Sequence, residues 1–283
     1  MPRAPGTKAR RRAAGPPACV LVSGGVDSIV LLRETLKRHK SVQPLYVRAG
    51  MAWEPVERRA LARLLRLLRG SRLRPLRTID VPMGDLLARH WSATGRDGPG
   101  YDDGDASVFI PGRNIALFSK AATFCTLERI PVLVSGILSA NPFPDGSPRF
   151  LRAMERGLAL GLGARFRIAT PFRRRTKDEV IRLGRDLPLH LTFSCISPRR
   201  GLHCGDCCKC KERIDAFVAA GVADRTRYAR RPAGSRRYAR PAPASSGGAG
   251  SVPRGRPARS ASAGGATARI MTRQAAKSAT SAR

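Results

Sequence analysis

A glycine pair between a short apolar run and a helical pattern most limits what this chain can fold into. The apolar run is Ala18 to Val22, the turn is Ser23-Gly24-Gly25, and a helix is predicted over Ile29 to His39. Strand, glycine turn and helix in this order present backbone N–H groups and a helix N-terminus to an anion. No Gly-Lys-Ser/Thr follows, so the turn is not a Walker A loop. The segment predicts a phosphate site at the edge of a sheet.

Strands and helices continue to alternate after this first unit. Further strands are predicted at 43–47, 76–81, 132–135 and 166–169, and helices at 55–69, 115–129, 150–160, 177–186 and 212–219. Residues 85–105 are rich in turn-forming residues. Strands separated by helices predict a parallel sheet with crossover connections, and therefore an α/β fold.

Basic charge is concentrated at the two ends of the chain. The sequence has 53 Lys+Arg and 20 Asp+Glu; residues 1–17 carry five basic groups and residues 230–283 carry twelve, and neither segment has an acid. The part between them keeps an excess of 16 positive charges. Such a charge favours polyanions such as ATP or nucleic acid. The Ala, Arg, Ser, Gly and Pro composition of the C-terminal segment predicts disorder.

Composition also predicts the organisation and location of the chain. It contains no run of about 18 apolar residues and no apolar N-terminal stretch, so neither a transmembrane helix nor a signal peptide is predicted. We expect a cytoplasmic protein without membrane contact. The expected segments are a disordered basic tail at 1–17, an α/β domain with the phosphate site at 18–190, a cysteine-containing region with a final helix at 191–229, and a disordered basic tail at 230–283.

Four of the seven cysteines crowd into seven residues. The spacing Cys204-x-x-Cys207-x-x-Cys210, with Cys195 nine residues upstream, supplies four thiolates for one tetrahedral Zn²⁺ ion. Closed sites of this kind are structural. Without an export signal, the spacing favours a metal over a disulfide framework, and the alternative is a redox pair or free thiols.

The remaining cysteines and one histidine receive simpler interpretations. Cys208 lies between predicted ligands and is not expected to bind the metal. His203 is interpreted as a polar neighbour of the cluster, with a role as substitute ligand as the alternative. Cys19 and Cys125 lie in apolar segments and are expected in the core.

The segment Ser23 to Ser28, Ser-Gly-Gly-x-Asp-Ser, resembles the signature of PP-loop ATP pyrophosphatases, which split ATP between the α and β phosphates. The resemblance implies that the loop holds the departing pyrophosphate. Asp27 is a candidate Mg²⁺ contact, and the hydroxyls of Ser23 and Ser28 can donate to phosphate oxygens. The alternative is a tight turn in which Asp27 and the serines only cap the helix.

Three further segments extend this resemblance to the 7-cyano-7-deazaguanine synthase family of queuosine biosynthesis. They are Ile110 to Asn114 at a helix start, Thr170-Pro171 followed by Lys177 and Glu179, and Ser194 to Cys210. The resemblance covers roughly Ala18 to Ala229. It implies a PP-loop domain of the adenine nucleotide alpha hydrolase-like, Rossmann-like type with a small zinc-binding C-terminal region.

The family resemblance also implies the chemistry. A carboxylate, 7-carboxy-7-deazaguanine in the family, is adenylated by ATP, ammonia forms the amide, and a second adenylation leads to the nitrile with release of AMP and pyrophosphate. The implied cofactors are ATP, Mg²⁺ and one structural Zn²⁺ per chain, and a homo-oligomer is compatible with this reading. Catalytic roles are expected for Asp27, Arg113 and Lys177. The expected nucleotide-binding residues are Val22, Ser23, Gly24, Gly25, Val26, Asp27, Ser28, Ile29, Val30, Leu31, Leu32, Gly112, Arg113 and Asn114.

Residue types support parts of this assignment and leave others open. Arg113 at a helix start can bind a phosphate or carboxylate with two N–H groups, or it is a surface charge. Asn114 can cap the helix or bind a base edge, and Lys177 can neutralise developing phosphate charge. Glu179 near the next helix start is explained equally well by the helix dipole.

One loop departs from the family pattern. Family members resemble this chain in having Pro144-Asp145, but usually carry Cys-Arg next, where this sequence has Gly146-Ser147. The change lies in the loop expected to bind the acceptor substrate, so it affects the expected substrate and leaves the expected ATP chemistry unchanged. Two alternatives therefore stay open: a PP-loop enzyme with another acceptor, including tRNA thiolation, and a zinc-bearing RNA-binding module without catalysis.

We predict that residues 230–283 are dispensable for catalysis, because they have no periodic apolar pattern and no acid to pair with their basic groups. A flexible basic segment still binds polyanions, so truncation to residues 1–229 is expected to leave ATP turnover unchanged and to weaken RNA retention, with a flatter dependence on salt. Loss of turnover in a truncated, folded chain that keeps its metal would contradict the prediction.

Overall fold

One parallel sheet organises the structure, a computed structural model that describes residues 14–68 and 70–230. The strands are β1 Ala18–Leu21, β2 Val42–Arg48, β3 Arg77–Asp80, β4 Val132–Val134 and β5 Arg167–Ala169, in the order β3-β2-β1-β4-β5. All neighbouring pairs are parallel. The α/β fold class and the parallel sheet are confirmed. Most of the two basic tails, 1–13 and 231–283, lies outside the described residues.

Helices lie between the strands, as the alternating pattern predicted, and two more helices follow the last strand. They are α1 Val26–Arg38, α2 Glu54–Leu67, α3 Gly84–Leu87, α4 Trp91–Thr94, α5 Arg113–Leu127, α6 Pro148–Gly161, α7 Lys177–Leu183 and α8 Cys208–Ala220. Short 3₁₀ turns occur at Asp105–Val108, Pro144–Gly146 and Leu189–Leu191. Within the described part, no helix has both the length and the apolar character needed to cross a bilayer.

Two helices begin about one turn earlier than the sequence pattern indicated, whereas the other starts agree within two residues. The first helix was predicted from residue 29 and begins at Val26; the last was predicted from residue 212 and begins at Cys208. In both, the first turn carries polar residues, so an apolar period does not reveal it. The residues before them, Gly25 and Cys207, have extended backbone and act as N-caps. The loop Ser23 to Gly25, called the phosphate loop, and the cysteine motif therefore each lead directly into a helix N-terminus.

The segment predicted to be rich in turns also contains the one-turn helices α3 and α4. His90 accepts a hydrogen bond from the N–H of Ser92 through its ring nitrogen and caps the start of α4. Gly95, with a φ of +70°, ends the helix. One turn is too short to produce a hydrophobic period, so only capping residues mark these helices.

Strand β1 is buried on both faces, and its side chains alternate between two cores. Ala18 and Val20 pack with α1, α7 and α8, whereas Cys19 packs on the other face with Cys125 of α5. Cys19 and Cys125 are fully buried, which confirms their prediction as core residues. The chain runs from β1 to β2 and β3 on one side of the sheet, then crosses to β4 and β5 on the other side of β1. This arrangement opens a crevice at the carboxyl ends of the strands.

Residues at the inner ends of both predicted tails form backbone hydrogen bonds with the rest of the described chain. The N–H of Gly15 donates to the carbonyl of Arg38 at 2.7 Å, and the N–H of Lys40 donates to the carbonyl of Gly15 at 3.0 Å. At the other end, the N–H of Arg230 donates to the carbonyl of Cys204 at 3.0 Å. Residues 15 and 230, which the sequence assigned to the tails, therefore have backbone hydrogen bonds to the fold.

We predict that Gly184→Ala destabilises the fold, because a Cβ at this position at the end of α7 would lie 2.4 Å from Cγ2 of Val30, which is fully buried in α1. Val30 is short and stiff, so the helices must separate, at an expected loss of about 1–3 kcal/mol. Gly157→Ala is the matched control: it is exposed in α6, has open space for a Cβ, and should gain about 0.4–1 kcal/mol. Urea unfolding measures both; equal effects would contradict the packing argument.

Candidate active site

The loop after β1 has the backbone geometry of an anion site. Gly24 has a φ of +83°, and a Cβ there would lie 3.2 Å from the backbone nitrogen of Leu61, so glycine is required. Gly25 caps α1 and has no side chain to occupy the N–H groups of the first helical turn. The hydroxyl of Ser28 donates to the carbonyl of Gly25 at 3.0 Å and accepts from the N–H of Ser23 at 3.3 Å. The loop is thus held in shape while the helix N-terminus is available to an anion.

A cleft of about 420 Å³ lies at the carboxyl ends of the central strands, which is the size of a small-molecule site. All three residues predicted to be catalytic, Asp27, Arg113 and Lys177, line it. Of the predicted nucleotide-binding residues, those that line the cleft are Val22, Ser23, Gly25, Val26, Asp27, Ser28, Arg113 and Asn114. Ile29 to Leu32 are fully buried in the core behind the loop.

Lys177, the first residue of α7, connects the phosphate loop with the last helix. Its Nζ lies 3.3 Å from Oδ2 of Asp27 and donates to Oε1 of Glu212 at 2.8 Å. Burial disfavours the ammonium, but the two carboxylates outweigh burial and raise the pKa of Lys177. Burial likewise opposes the charge of Glu212, yet Lys177 and Lys209 lower its pKa to about 2. The site therefore holds the ammonium of Lys177 between the side chains of Asp27 and Glu212.

The second oxygen of Asp27 is left without a partner. Oδ1 is buried and forms no hydrogen bond with any residue of the described chain. A buried carboxylate oxygen without a donor is costly unless a cation or donor binds it. Asp27 itself is one of the residues that line the cleft. Its chemistry fits a Mg²⁺ ligand, because Mg²⁺ in phosphate sites uses one or two carboxylates together with substrate phosphates.

Arg113 begins α5 directly after Gly112, which has a φ of +74°. The Nε of Arg113 is buried and has no hydrogen-bond partner in the part of the chain that the structure describes. Asn114 donates from its side chain to Oδ1 of Asp145 at 3.1 Å. Burial raises the pKa of Asp145, and Asn114 opposes that effect. The helix start that carries Arg113 is thereby attached to the loop that departs from the family pattern.

That loop, residues 141–148, closes one side of the cleft. Phe143 lines the cleft and stacks on Phe109 with ring centroids 5.3 Å apart. A Cβ at Gly146 would lie 2.4 Å from Oδ1 of Asn141, and this oxygen also accepts from the N–H of Phe143 at 3.0 Å. Glycine at position 146 therefore leaves the space that the side chain of Asn141 occupies when it accepts this hydrogen bond.

The four predicted metal ligands meet in one buried cluster. The Sγ atoms of Cys195, Cys204, Cys207 and Cys210 all lie within 4.8 Å of one another. Cys195 is 3.4 Å from Cys204 and 3.9 Å from Cys207, and Cys204 is 3.7 Å from Cys210. A ZnS₄ tetrahedron with bonds of about 2.3 Å has edges of about 3.8 Å, so the cluster fits the metal.

Backbone donors surround the cluster, as expected for sulfur atoms that carry negative charge. The N–H of Cys204 lies 3.2 Å from Sγ of Cys195, and the N–H of Gly205 lies 3.4 Å from Sγ of Cys210. Gly205 has a φ of +85°, and a Cβ at this position would lie 2.0 Å from the carbonyl oxygen of Arg230. Among the described residues, the side chains placed closely enough to hold a metal ion together are those of the four predicted cysteines.

The two residues next to the cluster have other surroundings. Cys208 is buried but is not part of the group of four. The ring of His203 lies between Phe193 and Tyr228, and its Nε2 accepts from the N–H of Ser194 at 3.3 Å. Burial lowers the pKa of His203 to about 3. His203 is therefore a neutral packing residue, in agreement with its interpretation as a polar neighbour.

Comparison with known proteins matches this arrangement to one family. The family model described as "Queuosine biosynthesis protein QueC" matches residues 17–221, which include the phosphate loop, the cleft and the cysteine cluster. The chain belongs to the QueC family. Among curated relatives, the 7-cyano-7-deazaguanine synthase 1 of Sphingopyxis alaskensis is 31% identical over 241 residues, which are 76% of this chain and 99% of that protein.

Other relatives in the comparison show the same extent of similarity. The 7-cyano-7-deazaguanine synthase of an Anaeromyxobacter species is 32% identical over 75% of this chain and 95% of that protein. The 7-cyano-7-deazaguanine synthase of Leptospira interrogans is 28% identical over 74% of this chain and 89% of that protein. QueC-family similarity therefore spans nearly the whole length of these relatives.

Several cleft residues of this QueC-family chain were missed at the sequence level. Glu212 and Lys209 were assigned only to the cysteine region, residues 191–229, yet both line the cleft. Trp53 and Trp91, stacked with centroids 5.8 Å apart, also line it. No local spacing connects these residues with the phosphate loop, so only their meeting in space identifies them.

Glu57 is a further cleft residue that the sequence did not single out. It is buried in α2, and its Oε2 accepts from the hydroxyl of Tyr46 at 2.6 Å. Burial raises the pKa of Glu57 to about 7, although Tyr46 and Arg113 act in the opposite direction and Glu54 adds to the rise. Near neutral pH this carboxyl is therefore only partly ionised.

We predict that Glu57 makes stability fall as pH rises. The pKa in the folded state, about 7, exceeds the usual 4.5, so the folded state binds the proton more tightly and loses stability between about pH 4.5 and 7. Glu57→Gln should remove this loss, on the order of 3 kcal/mol above pH 7. Urea unfolding at pH 5, 6, 7 and 8 tests it, with exposed Glu128→Gln as control. Parallel pH curves for wild type and Glu57→Gln would contradict the prediction.

Proposed function

We propose that this chain is an ATP-dependent carbon–nitrogen ligase that converts 7-carboxy-7-deazaguanine into the nitrile 7-cyano-7-deazaguanine. One observation carries the proposal: Asp27, Lys177 and Arg113 converge with the PP-loop in a single cleft of a QueC-family chain. The names of the relatives support the product. The expected small-molecule partners are ATP, ammonia and the carboxylate.

The first step is adenylation of the carboxylate. A carboxylate oxygen attacks the α-phosphorus of ATP, the bond from that phosphorus to the bridging oxygen breaks, and pyrophosphate leaves. The N–H groups at the start of α1 and the ammonium of Lys177 are placed to bind the departing phosphates. Mg²⁺, held by Asp27, would supply further charge neutralisation. Arg113 offers a guanidinium for the α-phosphate or the acceptor carboxylate.

The following steps need positioning but no protein nucleophile. Ammonia attacks the acyl carbon, its nitrogen loses a proton, and AMP leaves to give the amide. The amide oxygen then attacks the α-phosphorus of a second ATP, with release of a second pyrophosphate. Loss of AMP and the nitrogen-bound protons gives the nitrile. The protein contributes fixed charges in a partly buried cleft, where they act more strongly than in water.

The cysteine positions argue against thiolation as the reaction. Transfer of sulfur requires a cysteine that reaches the nucleotide and carries a persulfide. Cys19 and Cys125 are fully buried in the core, and neither is among the residues that line the cleft. Cys208 is also buried, and the other four cysteines form the metal-sized cluster. A different acceptor for the same adenylation chemistry is the alternative that the loop 141–148 keeps open.

Product analysis tests the proposed function directly. The chain is incubated with Mg·ATP, ammonium and 7-carboxy-7-deazaguanine, and the products are identified by mass spectrometry and chromatography. We expect the nitrile with AMP and pyrophosphate. AMP and pyrophosphate formed only with another carboxylate would indicate a different acceptor. ADP and phosphate as products would overturn the PP-loop chemistry.

We predict that Asp27→Asn lowers turnover about 100-fold or more, because it removes the carboxylate charge that faces Mg²⁺ and Lys177. The fold should persist, since the side chain lies in the cleft wall. Asp85→Asn, an exposed acid outside the cleft, is the matched control and should behave as wild type. Turnover of Asp27→Asn within a few fold of wild type would contradict the assigned role.

We further propose that the cysteine cluster binds one Zn²⁺ per chain and stabilises the region 191–229. Elemental analysis of single Cys→Ser variants tests this. Replacement of Cys195, Cys204, Cys207 or Cys210 should remove the metal and sharply lower the melting temperature, because binding at such a site is coupled to folding. Cys208→Ser is the matched control and should keep its metal. Loss of zinc from Cys208→Ser alone would make the ligand assignment wrong.

A further inference from the structure

The cysteine region contacts the phosphate loop directly at one point and is connected to it through Lys177 at a second. The N–H of Phe193, two residues before Cys195, donates to the carbonyl of Gly24 at 2.9 Å. The second contact runs through α8, whose first turn carries Cys208 to Cys210 and whose next residues include Glu212. The carboxylate of Glu212 reaches out of this helix to Lys177 at 2.8 Å. A residue of the cysteine region thus enters the cleft.

Glu212 is itself held in place by a chain of alternating charges. Its other carboxylate oxygen forms an ion pair with Lys209 on the same helix, and Nζ of Lys209 lies 3.6 Å from Oδ1 of Asp105. The side chains of Lys177 and Glu212 are 13% and 22% exposed, so water screens this pair only in part. The series Asp27, Lys177, Glu212, Lys209 and Asp105 runs from the phosphate loop to the far wall of the cleft.

The two carboxylate partners of Lys177 have different roles in the proposed nucleotide complex. Asp27 has one buried oxygen without a donor, and its proposed role is to turn to Mg²⁺. Lys177 would then lose one of its two carboxylate contacts. The contact with Glu212, the shorter of the two, remains available. Glu212 is therefore the group that can keep the ammonium at the phosphate loop throughout the reaction.

We propose that Glu212 is a positioning residue that acts through Lys177 in the binding of pyrophosphate and of the ATP phosphates. The proposal rests on the proposed role of Lys177 as a phosphate ligand. It assigns to the helix of the cysteine cluster a direct part in the nucleotide site, in addition to its part in the fold.

A positioning role and a simple charge role predict opposite results. A carboxylate near a polyanion repels it, so removal of the charge alone would tighten the binding of pyrophosphate. Removal of a positioning contact would instead release Lys177 and weaken binding. Glu212→Asp separates the two further, because it keeps the charge but withdraws the carboxylate by one methylene group. A charge role predicts no change for Glu212→Asp, whereas positioning predicts weaker binding.

The experiment is a double-mutant cycle on the full chain with its metal, with zinc content measured for each variant. Binding of Mg·pyrophosphate is titrated by calorimetry for wild type, Glu212→Gln, Glu212→Asp, Lys177→Met and Lys177→Met with Glu212→Gln. We expect Glu212→Gln to weaken binding about tenfold in the wild type and less than about twofold in the Lys177→Met background. Asp215→Asn, an acid one turn further along α8 that pairs with Lys211, is the matched control and should bind as wild type.

Each outcome decides the proposal. Equal effects of Glu212→Gln with and without Lys177, or tighter binding by Glu212→Gln, would overturn it. If Glu212→Gln loses zinc or stability, Glu212→Asp takes its place in the cycle with the same expected coupling. A coupled cycle in a chain that forms no nitrile would support the positioning role and sink the proposed function. Nitrile formation together with an uncoupled cycle would support the proposed function and overturn the positioning role of Glu212.

Discussion

The ammonium of Lys177 between the carboxylates of Asp27 and Glu212 is the interaction on which the cleft depends. It joins α1, which follows the phosphate loop, α7, which follows the last strand, and α8 of the cysteine region. A lysine in this partly buried place is tolerable only with ionised partners, and the two carboxylates keep its pKa raised. The same three side chains line the cleft beside the loop for which phosphate binding is proposed.

The cysteine cluster and the phosphate loop form one structural unit. Cys207 caps α8, so a metal held by the four sulfurs would fix the start of the helix that carries Glu212. Arg213, fully buried on the same helix, donates to Thr192, Thr226 and the carbonyl of Leu189. These contacts fasten α8 to the segment that leads into Cys195. A cluster described as structural can therefore shape the cleft without any part in the chemistry.

Much of the fold could be predicted because its signals are local. Apolar runs for the strands, the glycine turn before α1 and the alternation of strands with helices are all patterns within short stretches of sequence. The starts of α1 and α8 and the short helices α3 and α4 were not visible in an apolar period. Those features are set by caps and by polar first turns, such as His90 at α4 and Gly25 at α1. Hydrophobic patterning carries no information about them.

The sequence by itself determined the phosphate loop with Asp27 and the four clustered cysteines, because glycine turns and ligand spacings are read over a few positions. The candidates Arg113 and Lys177 came from the resemblance of their segments to a known family. Tertiary structure alone decided that these residues share one cleft, that Glu212 and Lys209 enter it from the cysteine region, and that Glu57 is buried beside Tyr46. It also decided that Gly146 faces Asn141. Such pairings join distant parts of the chain, and they exist only once the parallel sheet brings the carboxyl ends of its strands together.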